Sequence, residues 1–190
     1  DWLAYVVMGG QFGSEGKGEF TAHIASVLSS AGLLSSVIRV GGPNAGHTMT
    51  VDGVPYKMRQ IPCAWHVPKV PLLIGPGSLV DLGVLEQEIA NVCFRSPGIL
   101  DRLVVDNQAI VITEAFKRSE ADLVRRIGST GEGIGAARAA HAMRTAVTVR
   151  DYPEWPSAIR RGDTRAFIKP NLRGRVVVES TQGFGLSLAA

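Results

Sequence analysis

Gly9-Gly10-Gln11-Phe12-Gly13-Ser14-Glu15-Gly16-Lys17-Gly18 is the stretch that decides how the rest of the chain is read. An apolar run, Ala4-Tyr5-Val6-Val7-Met8, feeds it, and apolar residues at helical spacing leave it at Phe20, Ile24, Val27, Leu28 and Ala31. Strand, glycine-rich loop and helix in that order form a cradle for phosphate. The glycines let the backbone approach an anion, and the start of the helix offers unpaired N–H groups and the positive end of a dipole. Lys17 adds a point charge able to reach a terminal phosphate. A lone Gly-x-Gly step would read as a turn beside a solvated lysine. Five glycines interleaved with serine, glutamate and lysine, between a strand and a helix, favour the phosphate loop.

The loop is not a Walker A sequence, which would want glycine at position 11 and serine or threonine at 18, where this chain has Gln11 and Gly18. Outward from it, Ser36-Val37-Ile38-Arg39-Val40 reads as a second buried strand that runs into Gly41-Gly42-Pro43-Asn44-Ala45-Gly46-His47-Thr48. A hairpin follows, Thr48 to Val51 and Val54 to Gln60 around an Asp52-Gly53 turn. Leu72-Leu73-Ile74, Leu103-Val104-Val105 and Ala109 to Ile112 read as strands. Asp81 is an N-cap for a helix carrying Leu82, Leu85, Ile89 and Val92. A helix is expected from Thr113 to Ile127, then a third glycine loop (Gly128 to Gly135) and an alanine-rich helix from Ala136 to Ala146. Irregular structure around one short helix is expected over 151–174. Val176-Val177-Val178-Glu179 is a last strand, entering Ser180-Thr181-Gln182-Gly183-Phe184-Gly185. The alternation predicts an α/β fold with a mostly parallel central sheet, flanking helices and a phosphate-binding loop after the first strand. Ligands of such sheets sit beyond the carboxyl ends of the strands, where the loops after Met8, Val40 and Glu179 all lie.

The chain has 190 residues and a net charge of +3, with basic residues dispersed rather than clustered, so nucleic-acid binding is not implied. Cys63 and Cys93 lack metal-ligand spacing, and two cysteines make no disulfide scaffold. No transmembrane-length apolar run or leader is visible, so a cytoplasmic protein without membrane association is expected. A chain that starts at Asp1 and stops at Ala190, just past a glycine loop, reads as the N-terminal part of a single nucleotide-binding domain whose C-terminal part is absent.

Asn44, Gly46 and His47 fall within four residues of the second loop. A glycine carbonyl can approach Mg²⁺, which takes oxygen ligands and keeps phosphates and waters. His47 could donate to a phosphoryl group in transfer, or span a turn. Ser129 and Thr130 suit a monophosphate, or only cap a helix. Arg144 could add a bidentate phosphate contact or be a solvated helix residue. Gln182 could bond a purine edge or close a turn. His23, His66 and His141 read as surface or core residues.

These loops together resemble the adenylosuccinate synthetase family. Its phosphate loop usually reads Gln-Trp-Gly-Asp-Glu-Gly-Lys-Gly, and Asn44-Ala45-Gly46-His47-Thr48 is identical to its second motif. Ile127 to Gly131 with Gly133-Ile134-Gly135, and Glu179 with Gln182-Gly183, resemble the third and fourth. The resemblance implies a ligase that condenses L-aspartate with a 6-oxopurine nucleoside monophosphate through a 6-phosphoryl intermediate. Its co-substrate would be ATP, dATP or GTP with Mg²⁺. Gly13, Ser14, Glu15, Gly16, Lys17, Gly18, Gly46, His47 and Thr48 would hold the triphosphate. Ser14, Asn44, Ser129, Thr130, Arg144 and Gln182 would face the purine monophosphate, and Ser14 and the Gly46 carbonyl the metal. Catalysis would rest on Ser14, Lys17 and His47. Arg144 matches an arginine that crosses a homodimer interface.

One position departs from the pattern. The family's loop aspartate, which takes the purine N1 proton, is Ser14 here, and a serine is no general base at neutral pH. A smaller hydroxyl leaves room for the 2-amino group of guanine and can bond it without a buried charge. The serine resembles the phage-type branch, the 2-aminoadenylosuccinate synthetases that take dGMP, which would place the protein in a host cytoplasm. The expected acceptor is therefore dGMP. The alternatives are IMP, or a catalytically dead paralogue that only binds nucleotide. An unrelated phosphate-loop GTPase would need a Walker A loop and a base-reading Asn/Thr-Lys-x-Asp motif, and the chain has neither.

Overall fold

A computed structural model describes residues 3–121, 130–168 and 174–183. Six strands form one parallel sheet in the order β1-β10-β2-β5-β7-β9. Their bounds are β1 Leu3–Gly9, β2 Leu34–Arg39, β5 Leu72–Ile74, β7 Leu103–Asp106, β9 Arg160–Gly162 and β10 Arg175–Gly183. The strand latest in sequence is thus inserted between the two earliest. Its register sets Glu179 opposite Val7 on one side and Arg39 on the other. The carboxyl ends of these three strands, at Gly9, Arg39 and Gly183, consequently lie side by side at one end of the sheet.

Side-chain alternation sends residues to opposite faces of the sheet. Val37, Leu72, Ile74, Leu103, Val105 and Val177 join the larger core, with Ala22, Ala25 and Leu28 of helix α1 (Lys17–Ser30). Ile38, Leu73, Val104 and Val176 point the other way, where Phe167 and Ile168 cover them. Because Arg39 and Glu179 share parity with Val37 and Val177, both charges face the α1 side. The antiparallel hairpin β3 (His47–Val51) and β4 (Val54–Met58) closes over that side, burying Met49 and Met58 beside α1. Its two-residue Asp52-Gly53 turn has positive φ at both positions, as the sequence predicts. The linker after β4 contributes the fully buried Trp65.

Helix α2 (Leu82–Cys93) starts at Asp81, whose side chain accepts the Val84 N–H, as expected of an N-cap. A second small parallel pair joins β6 (Leu79–Val80) and β8 (Ile110–Val111) and packs with Ala137 of α5 (Ile134–Ala142). Two short helices, α3 (Ile99–Arg102) and α6 (Arg165–Ile168), precede β7 and follow β9. No helix of the described residues is long and apolar enough to cross a membrane.

Three expectations need correction. The helix predicted over Thr113 to Ile127 is interrupted: α4 (Glu114–Ser119) ends at Glu120, which turns inward to accept the Gly133 and Ala136 N–H groups, and Ala121 is helical again. Residues 122–129 lie outside the described set, and with them Gly128 and Ser129. The alanine-rich helix ends at Ala142, so Arg144 is not helical. Arg144 has φ 60°, and the Arg144 and Thr145 N–H groups donate back to His141 and Ala140, a Schellman stop with arginine where glycine is usual. Lastly, 151–174 holds a sheet strand, β9. Its sequence, Arg160-Arg161-Gly162, carries no apolar alternation because it is a sheet edge with exposed arginines.

Candidate active site

Gly16 is the N-cap of α1 at φ 73°, in the left-handed region, and supplies no side-chain acceptor to the helix's first N–H groups. Those donors are left for an anion. The loop before it is braced from below by Glu15, whose Oε1 accepts the Gly10 and Gln11 N–H groups at 2.9 and 3.0 Å. Lys17, 6% exposed, stands at the mouth of the helix with its ammonium 4.0 Å from Glu15 Oε2, too far for a hydrogen bond. Gly18 lets α1 touch β3: a Cβ there would lie 2.3 Å from the Thr48 carbonyl oxygen. That contact explains why the loop carries glycine where a Walker loop has a hydroxyl residue.

A cleft of about 510 Å³ opens between the loops after β1 and β2 and the end of β10. Ser14, Glu15, Gly16 and Lys17 line one side, Asn44, Gly46, His47 and Thr48 the other, and Thr181 and Gln182 the floor. Ser14 is exposed at φ 55°. Of the residues singled out from the sequence, the structure gathers Gly13 to Gly18, Asn44, Gly46, His47, Thr48 and Gln182 here. Thr130 and Arg144 are exposed and do not line the cleft. The third loop is nevertheless tied to the second, since Arg59 pairs with Glu132 at 2.5 Å and donates to the Pro43 carbonyl.

Behind His47 lies a buried ionic cluster. Its Nδ1 is 2.5 Å from Glu179 Oε1, and its Nε2 is 2.7 Å from the Thr181 carbonyl oxygen. Nδ1 also lies 3.2 Å from Arg39 Nη1, but the carboxylate is the nearer neighbour. Both ring nitrogens thus have an acceptor at short range, and only a ring with hydrogen on each can donate to both at once. Arg39 donates to Glu179 Oε1 at 2.7 Å and to the Ala45 carbonyl at 2.9 Å, and the Cys63 N–H donates to Glu179 Oε2 at 2.8 Å. Glu179 is fully buried. Burial works to raise its carboxyl, but the Arg39 charge, the His47 hydrogen bond and charge and the Cys63 N–H outweigh it and hold it below its ordinary value. Burial, then the Glu179 charge, pushes the Cys63 thiol well up. His47, Cys63 and Glu179 lie within reach of a common point, but Arg39 occupies the Glu179 oxygen that a metal would need, and the thiol is held protonated. The cluster is an ion network rather than a metal centre.

The adenylosuccinate synthetase family model matches residues 6–178. The chain belongs to the adenylosuccinate synthetase family. It is 34% identical over 97% of its length to the adenylosuccinate synthetase of Thermococcus onnurineus, covering 54% of that protein. To that of Methanococcus aeolicus it is 35% identical over 96% of its length, again covering 54%. Among solved structures, the succinoaminodeoxyadenylate synthetase (PurZ) of cyanophage S-2L, bound to dGMP and dATP, is 27% identical with a TM-score of 0.75, over 98% of this chain and 53% of that one. Fully ligated adenylosuccinate synthetase of Plasmodium falciparum has a TM-score of 0.79 at 20% identity, over 95% and 51%, a likeness of fold. The chain thus spans about half the length of the adenylosuccinate synthetases it matches. Sequence reasoning placed Glu179 in the fourth motif without giving it a role, and passed over Arg39 and Thr181 as parts of this site. Glu179 and Arg39 had a readable signal, a single charge closing an otherwise apolar strand on the side where ligands gather.

Proposed function

We propose that the chain forms the phosphate-handling half of an aspartate–purine nucleotide ligase that takes dGMP as acceptor. The observation that carries the ligase reading is the convergence of Lys17, His47 and Gln182, from three separate motifs, on one cleft. In this reading the N–H groups from Gly13 to Gly18 and the Lys17 ammonium hold the triphosphate. Its terminal phosphoryl passes to the purine 6-oxygen while His47 donates to it and N1 gives its proton to water; the aspartate amine then attacks C6, losing a proton to water, and phosphate departs with the former 6-oxygen. Asn44 and Gln182 contact the monophosphate. Mg²⁺ takes oxygen ligands and keeps phosphates in its shell, and the cleft offers oxygens of that kind at Ser14 and the Gly46 carbonyl. Bound there with ATP, dATP or GTP, the metal would neutralise phosphate charge. Ser129 and Thr130 are assigned to the monophosphate, and Arg144, exposed on its turn outside the cleft, to the nucleotide of a partner subunit.

The acceptor rests on Ser14. Its hydroxyl stands at the cleft wall and makes no hydrogen bond among the described residues, so it is available to a 2-amino group. Such a contact is worth about 1–2 kcal/mol, roughly ten- to thirty-fold in specificity. The archaeal relatives' name favours the second reading, IMP as acceptor. The deciding experiment compares kcat/KM for dGMP and IMP in the protein from the complete reading frame, with Ser14→Asp and Ser14→Ala beside it. Aspartate tolerates left-handed backbone better than most residues, so Ser14→Asp suits φ 55°. Expected are a dGMP preference in the wild type, a shift toward IMP in Ser14→Asp, and partial activity in Ser14→Ala. A wild-type IMP preference that Ser14→Asp leaves unchanged refutes the dGMP assignment. No turnover of either acceptor refutes the ligase reading in favour of a nucleotide-binding paralogue.

A further inference from the structure

Glu179 is a buried charge that the cleft chemistry above does not use. It is fully buried, one residue pair deep in the parallel sheet, and its two oxygens accept from Arg39, His47 and the Cys63 backbone. Burying a carboxylate is costly unless it is paired and its lone pairs are filled, and here Arg39 and the Cys63 N–H meet both needs. What remains is the contact with His47 Nδ1. An imidazole with hydrogen on each nitrogen donates in two directions, and a bond at one nitrogen fixes the direction of the other. With Nδ1 held against Glu179, the ring presents Nε2 to the Thr181 carbonyl, and both His47 and Thr181 line the cleft.

We infer that Glu179 is a positioning residue for His47: its carboxylate, itself fixed by Arg39, takes Nδ1–H and aims Nε2–H into the cleft, where a phosphoryl oxygen would replace the Thr181 carbonyl as acceptor. The inference rests on the proposed role of His47 in phosphoryl transfer, and it adds a division of labour. Lys17 and the helix start attract the charge, whereas Glu179 and Arg39 touch no ligand and govern only the direction of one donor. Loss of Glu179 would therefore lower turnover without loosening the triphosphate, because a freed imidazole can turn while the phosphate loop is intact.

The test uses the protein from the complete reading frame, with Glu179→Gln, His47→Asn and the double variant. Glu179→Gln keeps the shape and a carbonyl acceptor but removes the charge. Its kcat is expected to fall roughly ten- to a hundred-fold, with KM for the triphosphate within about threefold, the pattern of a lost transition-state contact. If Glu179 acts through His47, the double variant has the kcat of His47→Asn alone. A Glu179→Gln kcat equal to wild type while His47→Asn is impaired overturns the inference and leaves the His47 role standing. Wild-type kcat in His47→Asn overturns the His47 role itself. Additive losses, or a raised KM with unchanged kcat, also overturn the positioning claim. Should Glu179→Gln fail to fold, nitrogen-15 spectra of the wild-type imidazoles decide. His47, assigned by its absence in His47→Asn, should carry an exchange-protected hydrogen on Nδ1, and an Nδ1 without hydrogen overturns the inference.

Discussion

Gly18→Ser would convert the loop's last residue to the one a Walker loop carries, and the structure predicts that this apparent improvement is harmful. A Cβ at 18 would lie 2.3 Å from the Thr48 carbonyl oxygen, 2.9 Å from its carbon and 3.1 Å from His47 Cβ. Two of the three are backbone atoms of β3, so no rotamer change relieves the clash, and α1 and the hairpin must move apart. Overpacking of this kind costs about 1–3 kcal/mol. For a domain of 150–250 residues each kcal/mol is roughly 2–4 °C in Tm, so a fall of several degrees is expected. Because the displaced strand begins with His47, activity should suffer more than stability: misplacing a catalytic group by about 1 Å can cost on the order of a hundredfold. Gly10→Ala is the stability control, since a Cβ there meets nothing within 4 Å. It should stay within about 0.5 kcal/mol of wild type, as open surface substitutions do. Calorimetry and steady-state kinetics on both variants measure this directly. Wild-type Tm and turnover in Gly18→Ser would refute the packing account of the glycine, and with it the reason given for the departure from a Walker sequence.

Lys17→Ala should lower turnover by about 10²–10³, the usual loss for one phosphate-stabilising donor, and a full-length variant that turns over normally would remove Lys17 from the site. Acid stability should carry the mark of Glu179. A carboxyl held below its ordinary value stabilises the fold above that value and loses the contribution as pH falls through the lowered one, so the Tm advantage of wild type over Glu179→Gln should shrink below about pH 4. Glu88, raised by burial against three backbone donors, works the opposite way, but it is common to both proteins and cancels in that comparison; a pH-independent difference would contradict the ionised state of Glu179. Peptide mapping after brief alkylation at neutral pH should find Cys93 labelled and Cys63 untouched until denaturant is added, given an exposed thiol in one case and a buried, strongly raised one in the other.

The strands that build the sheet's middle were legible because each contains a short apolar run, and the phosphate loop because its chemistry is local. The α2 cap and the hairpin turn follow from single residues, Asp81 and Asp52-Gly53, whose preferences act over three or four positions. Where the sequence misled, the deciding partner lay far away. Helix α4 breaks at Glu120 because that side chain turns to cap a later loop, and the periodicity of the segment says nothing of that. Strand β9 forms because β7 offers a free edge, not because Arg160-Arg161-Gly162 favours extension. Arg144 takes a glycine's place at a helix stop, against its own preference.

The same distinction runs through the site. Gly13 to Lys17 can be recognised by spacing alone, since a loop and the start of one helix make that half of the cleft. The other half depends on β10 entering between β1 and β2, which sets Glu179 opposite Arg39 across 140 residues of chain and brings it to His47 across 132. Without that strand, Arg39 lacks its carboxylate and His47 lacks the acceptor at Nδ1. Removing one member of a buried ion pair leaves an uncompensated charge, a penalty of about 3–5 kcal/mol. The insertion therefore stabilises the sheet and orients the histidine by one contact. Arg39 and Glu179 should accordingly respond to substitution as a pair: a change at either one exposes the other's charge to the low-dielectric interior, whereas Ser14, an exposed loop residue, can be altered singly with consequences confined to the ligand.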